Sequence, residues 1–522
     1  MQLQNIHKAL FTLFLAFCFA GVQAQYNNEW IDYNKPYYKI KVGQTGLYRI
    51  PYSVLQENGL ASNSASTFQM WRNGQEVALY TSIPTGVFGT NDFIEFFGEM
   101  NDGKADDALY SRPGLQLANK WSLQTDTAVY FLTINTSGTN KRIVAAQNNV
   151  AINTLPSEPY FMYTFSKHYR DQVNPGYASV VGSSYIYSSS YDMGEGWSSR
   201  AVTPTTPLVE QQNYFVAPGG PAPTFRINAY GNAPNNRRLQ VLVNGTPVVD
   251  NAMNFFTPSV LELALPANLL GRPIDTVRVI NASAVASDRM VAYKYEIDYP
   301  RLFNFGGNSL FEFALPASTN GNYLEIVNFN SGTEQPVLYE LNEGRRYIAD
   351  NAEAGKLKFA LPPGGIRKFV LMNASATSIL NVSRMQKKDF INYASTALQG
   401  EFLMITHPIL FSSSKGNPIQ TYAAYRASAD GGSYKVGVYD IDELVDQFAF
   451  GIKKHPLSIK NFIAYARTAF TAAVPKFILL VGKGVTYDQY RINELRPIAE
   501  RLNLIPTFGN PGSDNILSST DY

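Results

Sequence analysis

Phe402-Leu403-Met404-Ile405-Thr406-His407, Tyr434-Lys435-Val436-Gly437-Val438-Tyr439 and Lys476-Phe477-Ile478-Leu479-Leu480-Val481-Gly482 are three apolar runs within residues 401–488. Each is followed by a turn and then a helical or loop segment. Between the second and third, residues 458–470 place Ile459, Phe462, Ile463, Ala466 and Phe470 on one face at helical spacing, a single buried stripe. Strands alternating with helices of this length predict a parallel sheet with crossover helices. The third run is almost wholly apolar, as a strand covered on both faces requires. It predicts that Leu479 and Leu480 are buried.

Outward from this stretch the chain reads as β-rich. Residues 1–24 form a secretory signal: Lys8, an apolar run over 9–20, and Val22-Gln23-Ala24 as the cleavage site. The apolar run is shorter than the ~20 residues needed to span a bilayer, and no later segment approaches that length. Cys18 is the single cysteine. It lies in the signal, and Phe17 before it does not suit a lipoprotein site. Residues 25–522 therefore carry no thiol and cannot be stapled by disulfides. With 45% hydrophobic, 13% aromatic and only 16% charged residues, they can build apolar cores instead. A formal net charge of +2 without basic blocks gives no reason to expect nucleic acid or acidic lipid as a partner.

The reading divides the remainder into a β-rich domain at 25–150, a β-sandwich at 151–300, a small β domain or second part of that sandwich at 301–382, and the start of an α/β domain at 383–522. Asn244-Gly245 between two strand-forming runs predicts a two-residue hairpin with positive φ at both positions. Residues 160–191 are rich in Tyr and Ser and are followed by Gly194-Glu195-Gly196-Trp197. Sheet packing is the reading of these aromatics, with a sugar- or peptide-binding surface as the alternative. His168 reads as a surface residue. Asn101, Asp102, Asp106 and Asp107 surround Gly103 and offer oxygen ligands, so Ca²⁺ is an alternative to a solvated turn there, although Lys104 and the spacing oppose it. No other cofactor is expected.

Catalytic signals are sparse. There is no Gly-x-Ser-x-Gly elbow for a serine route. His407 ends a strand but has no acidic residue beside it in sequence, and His455-Pro456 precedes a helix, so both read as structural. Asp440, Asp442, Glu443 and Asp446 fall at the start of a helix and read as capping and dipole-complementing groups. Gly482-Lys483-Gly484 lacks the spacing of a phosphate loop. Ser513, Asp514 and Asp521 follow the last strand and are the candidates for a site rim.

The runs Glu443-Leu444-Val445-Asp446-Gln447-Phe448-Ala449-Phe450-Gly451, His455-Pro456-Leu457-Ser458-Ile459-Lys460-Asn461-Phe462 and Pro475-Lys476-Phe477-Ile478-Leu479-Leu480-Val481-Gly482 resemble the gingipain-type cysteine peptidases. They are closest to the surface members that act as the sortase of the type IX secretion system. Ile405-Thr406-His407-Pro408 and Pro511-Gly512-Ser513-Asp514-Asn515 fit the same pattern. Far upstream, Gly46-Leu47-Tyr48-Arg49-Ile50, Asp92-Phe93-Ile94-Glu95-Phe96-Phe97-Gly98 and the run from Ser122 to Thr133 resemble that family's opening domain. Members commonly have Gly-Asp-Gly or Gly-Asp-Ala where this chain has Gly482-Lys483-Gly484, which marks a divergent subgroup.

The resemblance implies β-rich domains followed by a caspase-like α/β peptidase domain, with a His–Cys pair expected beyond Tyr522. The chain then reads as an N-terminal portion, inactive by itself. It also implies export to the outer-membrane surface, secreted cargo proteins as substrates, cleavage of their C-terminal sorting signals, and other secretion components as partners. The competing reading is a non-catalytic surface protein whose β domains bind polysaccharide or partner proteins and whose peptidase-like unit is degenerate.

Overall fold

A computed structural model describes residues 26–519 apart from 178, 183 and 494; residues 1–24, read from the sequence as a secretory signal, and Asp521 lie outside these. The C-terminal unit is a parallel sheet. Phe402–Thr406 is its central strand, with Val436–Asp440 on one side and Phe477–Val481 on the other. Alternating residues of the central strand enter two cores. Leu403 and Ile405 face Leu444 and Phe448 of helix Ile441–Phe448 and Ile459, Phe462, Ile463 and Ala466 of helix Leu457–Ala469. Phe402 and Met404 face Ile419 and Ala423 of helix Pro418–Ala427. That helix starts where it does because Asn417 accepts from the amides of Ile419 and Gln420, while Pro418 occupies the first turn, where its missing N–H is not needed.

Leu479 and Leu480 depart from expectation: they are half-buried, and Phe477 is 46% exposed. Among the described residues their strand pairs only with the central one, and helix Pro418–Ala427 lies over the opposite strand. An apolar run thus signals a strand but does not say which of its faces are covered.

Three β units precede this sheet. The first is a sandwich of two sheets. One contains Tyr37–Val42, Ala128–Ile134, Phe68–Arg72 and Gln75–Val77; the other contains Gly46–Pro51, Phe93–Gly98 and Tyr80–Thr81. Ile40, Val42, Ile50, Phe68, Met70, Ile94, Phe96 and Leu132 fill the space between them. Residues 380–388, placed by sequence at the junction of the last two domains, return to this sandwich. Leu380–Asn381 pairs with Gly46–Pro51 in parallel, and Gln386–Lys388 pairs antiparallel with Tyr37–Val42. The polar run Gln386-Lys387-Lys388 carries no local strand signal; an available sheet edge recruits it.

The second unit is an antiparallel sandwich. Leu208–Gln212, Asp275–Ala282, Arg238–Val243 and Thr246–Ala252 face Pro258–Ala264, Thr224–Gly231, Met290–Arg301 and Phe161–His168. Asn244 and Gly245 have φ of 51° and 85°, with Val243 opposite Thr246, as the Asn-Gly signal requires. Asn73-Gly74, with φ of 48° and 71°, makes the same turn between Arg72 and Gln75. A methyl group on Gly245 meets no atom within 4 Å, so Gly245→Ala isolates the cost of the backbone conformation. The expected loss is about 1 kcal/mol in denaturant unfolding.

The third unit has its own core, built from Phe303, Phe305, Phe313, Leu324, Phe359, Phe369 and Leu371. Phe161 and Tyr163, on a second-unit strand, also pack into this core. No helix among the described residues is long and apolar enough to cross a membrane.

Candidate functional site at the carboxyl ends of the parallel strands

The central strand is the first of the three in sequence, and its successors lie on opposite sides of it. In open α/β sheets ligands bind outside the carboxyl ends of the strands at such a switch point. A cleft of about 730 Å³ lies there. His407 follows the central strand into it. Asp440 and Asp442 enter from the end of the second strand, and Tyr490 and Arg491 from helix Tyr487–Asn493 after the third. Lys39 and Lys41 of the first sandwich, with Lys388, Lys453, Lys454, Asp126, Asp446 and Glu500, complete its charged lining.

Asp440 behaves as a helix cap, accepting from the Asp442 amide at 2.8 Å. Burial nevertheless holds its carboxyl above the usual range. His407 Nδ1 accepts from the Ile409 amide at 3.2 Å, which fixes the ring, and its Nε2 faces Asp442 Oδ2 at 3.7 Å. The acidic neighbour that sequence did not give His407 is thus supplied by the next strand's loop. An imidazole beside a carboxylate at a strand end can move a proton.

Glu443 and Asp446 are not capping groups. Both are buried, at 4% and 3% exposure, and they fasten the α/β unit to the first sandwich. Asp446 pairs with Lys39 and lies 3.4 Å from Lys388. Glu443 pairs with Lys388 and accepts from the Ile391 amide at 3.0 Å and from Gln447 at 2.7 Å.

His455, in the loop before helix Leu457–Ala469, is likewise a fastening. It is fully buried, and the Leu457 amide donates to Nδ1, which leaves Nε2 as the nitrogen that donates to Asp106 Oδ1 at 3.2 Å. Asp106 also accepts from the Leu123 amide at 2.6 Å and from Ser122 Oγ at 3.2 Å. The pair has no room for substrate.

This use of Asp106 disperses the oxygen-rich loop of residues 101–107. Asp102 pairs with Lys104 at 2.7 Å, Asp107 accepts from the Gly114 amide, and Asn101 donates to Thr125 O. No group of three or more His, Cys, Asp or Glu able to hold a metal occurs among the described residues. Ser513 precedes the short helix Asp514–Ser518, which packs on helix Leu457–Ala469. Neither Ser513 nor Asp514 lines the cleft.

The sequence reading missed the contribution of the strand pair Gln172–Pro175 and Glu195–Ser198, which packs on the second sandwich. Glu195, 1% exposed, accepts from Tyr487 at 2.5 Å and from the Asp192 amide at 3.1 Å, joining that sandwich to the helix behind the cleft. Arg491 bonds Asp126 at 2.8 Å and lies over the Trp197 ring. The Gly194-Glu195-Gly196-Trp197 run stood out for its aromatic residue, whereas its buried carboxyl is the informative one. Tyr177 and Tyr187, from the Tyr-rich segment, stack on each other at 4.5 Å, and Tyr177 packs against Phe256. His168 is not a surface group: it is half-buried, and burial together with Lys294 pushes its imidazole down to about 4, so it is neutral at pH 7.

Burial, more than nearby Asp192, raises Glu195 well above its ordinary 4.5. A raised carboxyl favours folding at acid pH. That contribution is lost as pH climbs from about 4.5 through the raised folded-state value. Glu195→Gln keeps the shape and an acceptor but cannot ionise. The variant is expected to match the parent protein at pH 4 and exceed its unfolding free energy at pH 8. Parallel stability curves across that range would refute the assignment.

Residues 395–522 match the family model of peptidase family C25, the gingipain family of cysteine peptidases. The resemblance read from the sequence therefore stands, and the class it defines is a β-rich chain carrying a gingipain-like α/β unit. Among solved structures, dimeric latent PorU from Porphyromonas gingivalis superposes over 91% of this chain with a TM-score of 0.56 and 14% identity. At that identity the likeness is one of fold, and the chain spans 44% of the PorU chain. The CBM36-1 domain of a multidomain xylanase from the hindgut metagenome of Trinervitermes trinervoides covers 26% of this chain and 96% of its own, at 9% identity and a TM-score of 0.17. That score supports no functional inference. No curated protein matches the chain.

Proposed function

We propose that this chain is the scaffold and first α/β segment of an exported gingipain-like cysteine endopeptidase, a sortase that removes C-terminal sorting signals from cargo at the outer-membrane surface. The observation carrying this reading is that the segment matching peptidase family C25 follows three β units in a chain whose fold is similar to that of PorU. Peptide hydrolysis by this class needs a thiolate, and residues 25–522 contain no cysteine. The nucleophile is accordingly assigned to sequence outside these residues. The β units hold the α/β unit through Lys39–Asp446, Lys388–Glu443, Asp106–His455 and Glu195–Tyr487. Four buried polar attachments on one unit favour a fixed platform over domains joined by a loose linker.

The test uses the natural full-length protein with an exported substrate that carries its C-terminal sorting domain. Release of that domain as a single cleavage, abolished by thiol alkylation, is the expected result. Absence of cleavage, with saturable binding of polysaccharide to the β units, would favour the non-catalytic surface protein.

A further inference from the structure

The two ends of helix Tyr487–Asn493 are held differently. Tyr490 and Arg491 line the cleft, and Arg491 is balanced by Asp126 at 2.8 Å. Tyr487, at the helix start, is buried with its ring stacked on Tyr191 at 5.2 Å. Its hydroxyl donates to Glu195 Oε2, and the Asp192 amide donates to Oε1 at 3.1 Å. Among the described residues no Lys, Arg or His pairs with this carboxyl. The charges that face it are negative: Asp192 from its own turn and Asp488 from the helix. Asp488 Oδ1 is itself buried without a hydrogen bond. Asp106, from the 3₁₀ turn Ala105–Leu109, is matched by His455. Tyr110, Tyr191, Tyr230 and Tyr293 surround the group, and burial holds their hydroxyls above the ordinary 10, so they stay neutral. At 1% exposure among acids and neutral phenols, a carboxylate is costly to keep and a protonated carboxyl is not.

We propose that Glu195 is a positioning residue for the cleft, and that its proton sets whether the start of helix Tyr487–Asn493 is docked. With the carboxyl neutral, the helix is seated and presents Tyr490 and Arg491 to the cleft. Once ionised, the carboxylate is stabilised by water, which reaches it when the first turn of the helix lifts. Asp126 keeps hold of Arg491, so the helix pivots about its far end. The ties Lys39–Asp446, Lys388–Glu443 and Asp106–His455 each set an acid against a basic group, so the sheet itself stays in place. Burial raises Glu195 well above 4.5, Asp192 adds to the rise, and the Tyr487 hydroxyl opposes it. Docking is therefore complete below about 4.5 and weakens as pH climbs through the raised value. Asp192, pushed up to about 6 by burial, adds repulsion as it ionises. The device does not rest on the peptidase reading, since it controls the shape of the cleft whatever the cleft takes.

The test is hydrogen exchange of the full chain, read by mass spectrometry from about pH 5 to about pH 9 with labelling times scaled to the intrinsic rate. Protection of residues 487–493 is expected to fall about tenfold or more across that range. The central strand Phe402–Thr406 should keep its protection, which separates local release from unfolding. Glu195→Gln has the same shape and cannot ionise, so residues 487–493 should stay equally protected throughout. Tyr487→Phe removes the hydroxyl that favours the ionised carboxyl, so the loss should move to higher pH. This variant keeps the ring and remains informative if Glu195→Gln does not fold. The proposal is overturned if protection of residues 487–493 does not change with pH, if it changes equally in Glu195→Gln, or if the central strand loses protection in step. Where Glu195→Gln does not fold, an unshifted loss in Tyr487→Phe overturns it.

Discussion

Residues 25–522, expressed and purified by themselves, are expected to take up none of a thiol-directed active-site probe and to hydrolyse no peptide through an acyl-enzyme. The effect is all or none because it follows from composition: the single cysteine is Cys18, and residues 25–522 have no other thiol. Positioning and electrostatic groups can accelerate the attack of water, but they cannot replace a thiolate as the covalent nucleophile. Mass spectrometry after probe treatment reads the result directly. An adduct on the 25–522 segment is incompatible with this account. Peptide hydrolysis that persists after thiol blocking would instead assign a different catalytic class. His407, with Asp442 at 3.7 Å in the cleft, would then be the first residue to substitute.

Asp446→Ala is expected to lower the unfolding free energy by about 2–3 kcal/mol, the largest single-residue stability loss predicted here. The carboxylate is 3% exposed and meets Lys39 of the first sandwich and Lys388 of the returning strand. Removing it leaves Lys39 without its anion in a setting where its side chain is only 16% exposed. Lys388 retains Glu443, which keeps the loss below that for stranding a fully buried charge. Denaturant unfolding followed by tryptophan fluorescence gives the number. Trp30 and Trp71, two of the four tryptophans, belong to the aromatic cluster of Tyr37, Phe131 and Phe390 beside the same strand, so part of the signal comes from this interface. A change under about 0.5 kcal/mol would mean that the pair is solvated and does not hold the two units together.

The sequence by itself determined the elements whose causes are local. Apolar runs of strand length separated by a 3.6-residue stripe specify strand, helix, strand, and the three runs at 402–407, 434–439 and 476–482 do form a parallel sheet. Asn244-Gly245 specifies its turn because few other residue pairs accept two positive φ values cheaply. The absence of a thiol after Cys18 is likewise complete in the sequence.

What only the tertiary structure decided are the relations between residues hundreds of positions apart. Asp106 and His455, Lys39 and Asp446, and Glu195 and Tyr487 become partners through packing of the α/β unit on two sandwiches. Read locally, Asp446 is one more acid in a helix's first turns, and Asp106 is one more oxygen in a turn. The same holds for Gln386-Lys387-Lys388, whose polar residues become a strand only because a sheet edge is offered to them. Local propensity is set by neighbours along the chain, whereas charge pairing and desolvation depend on neighbours in space.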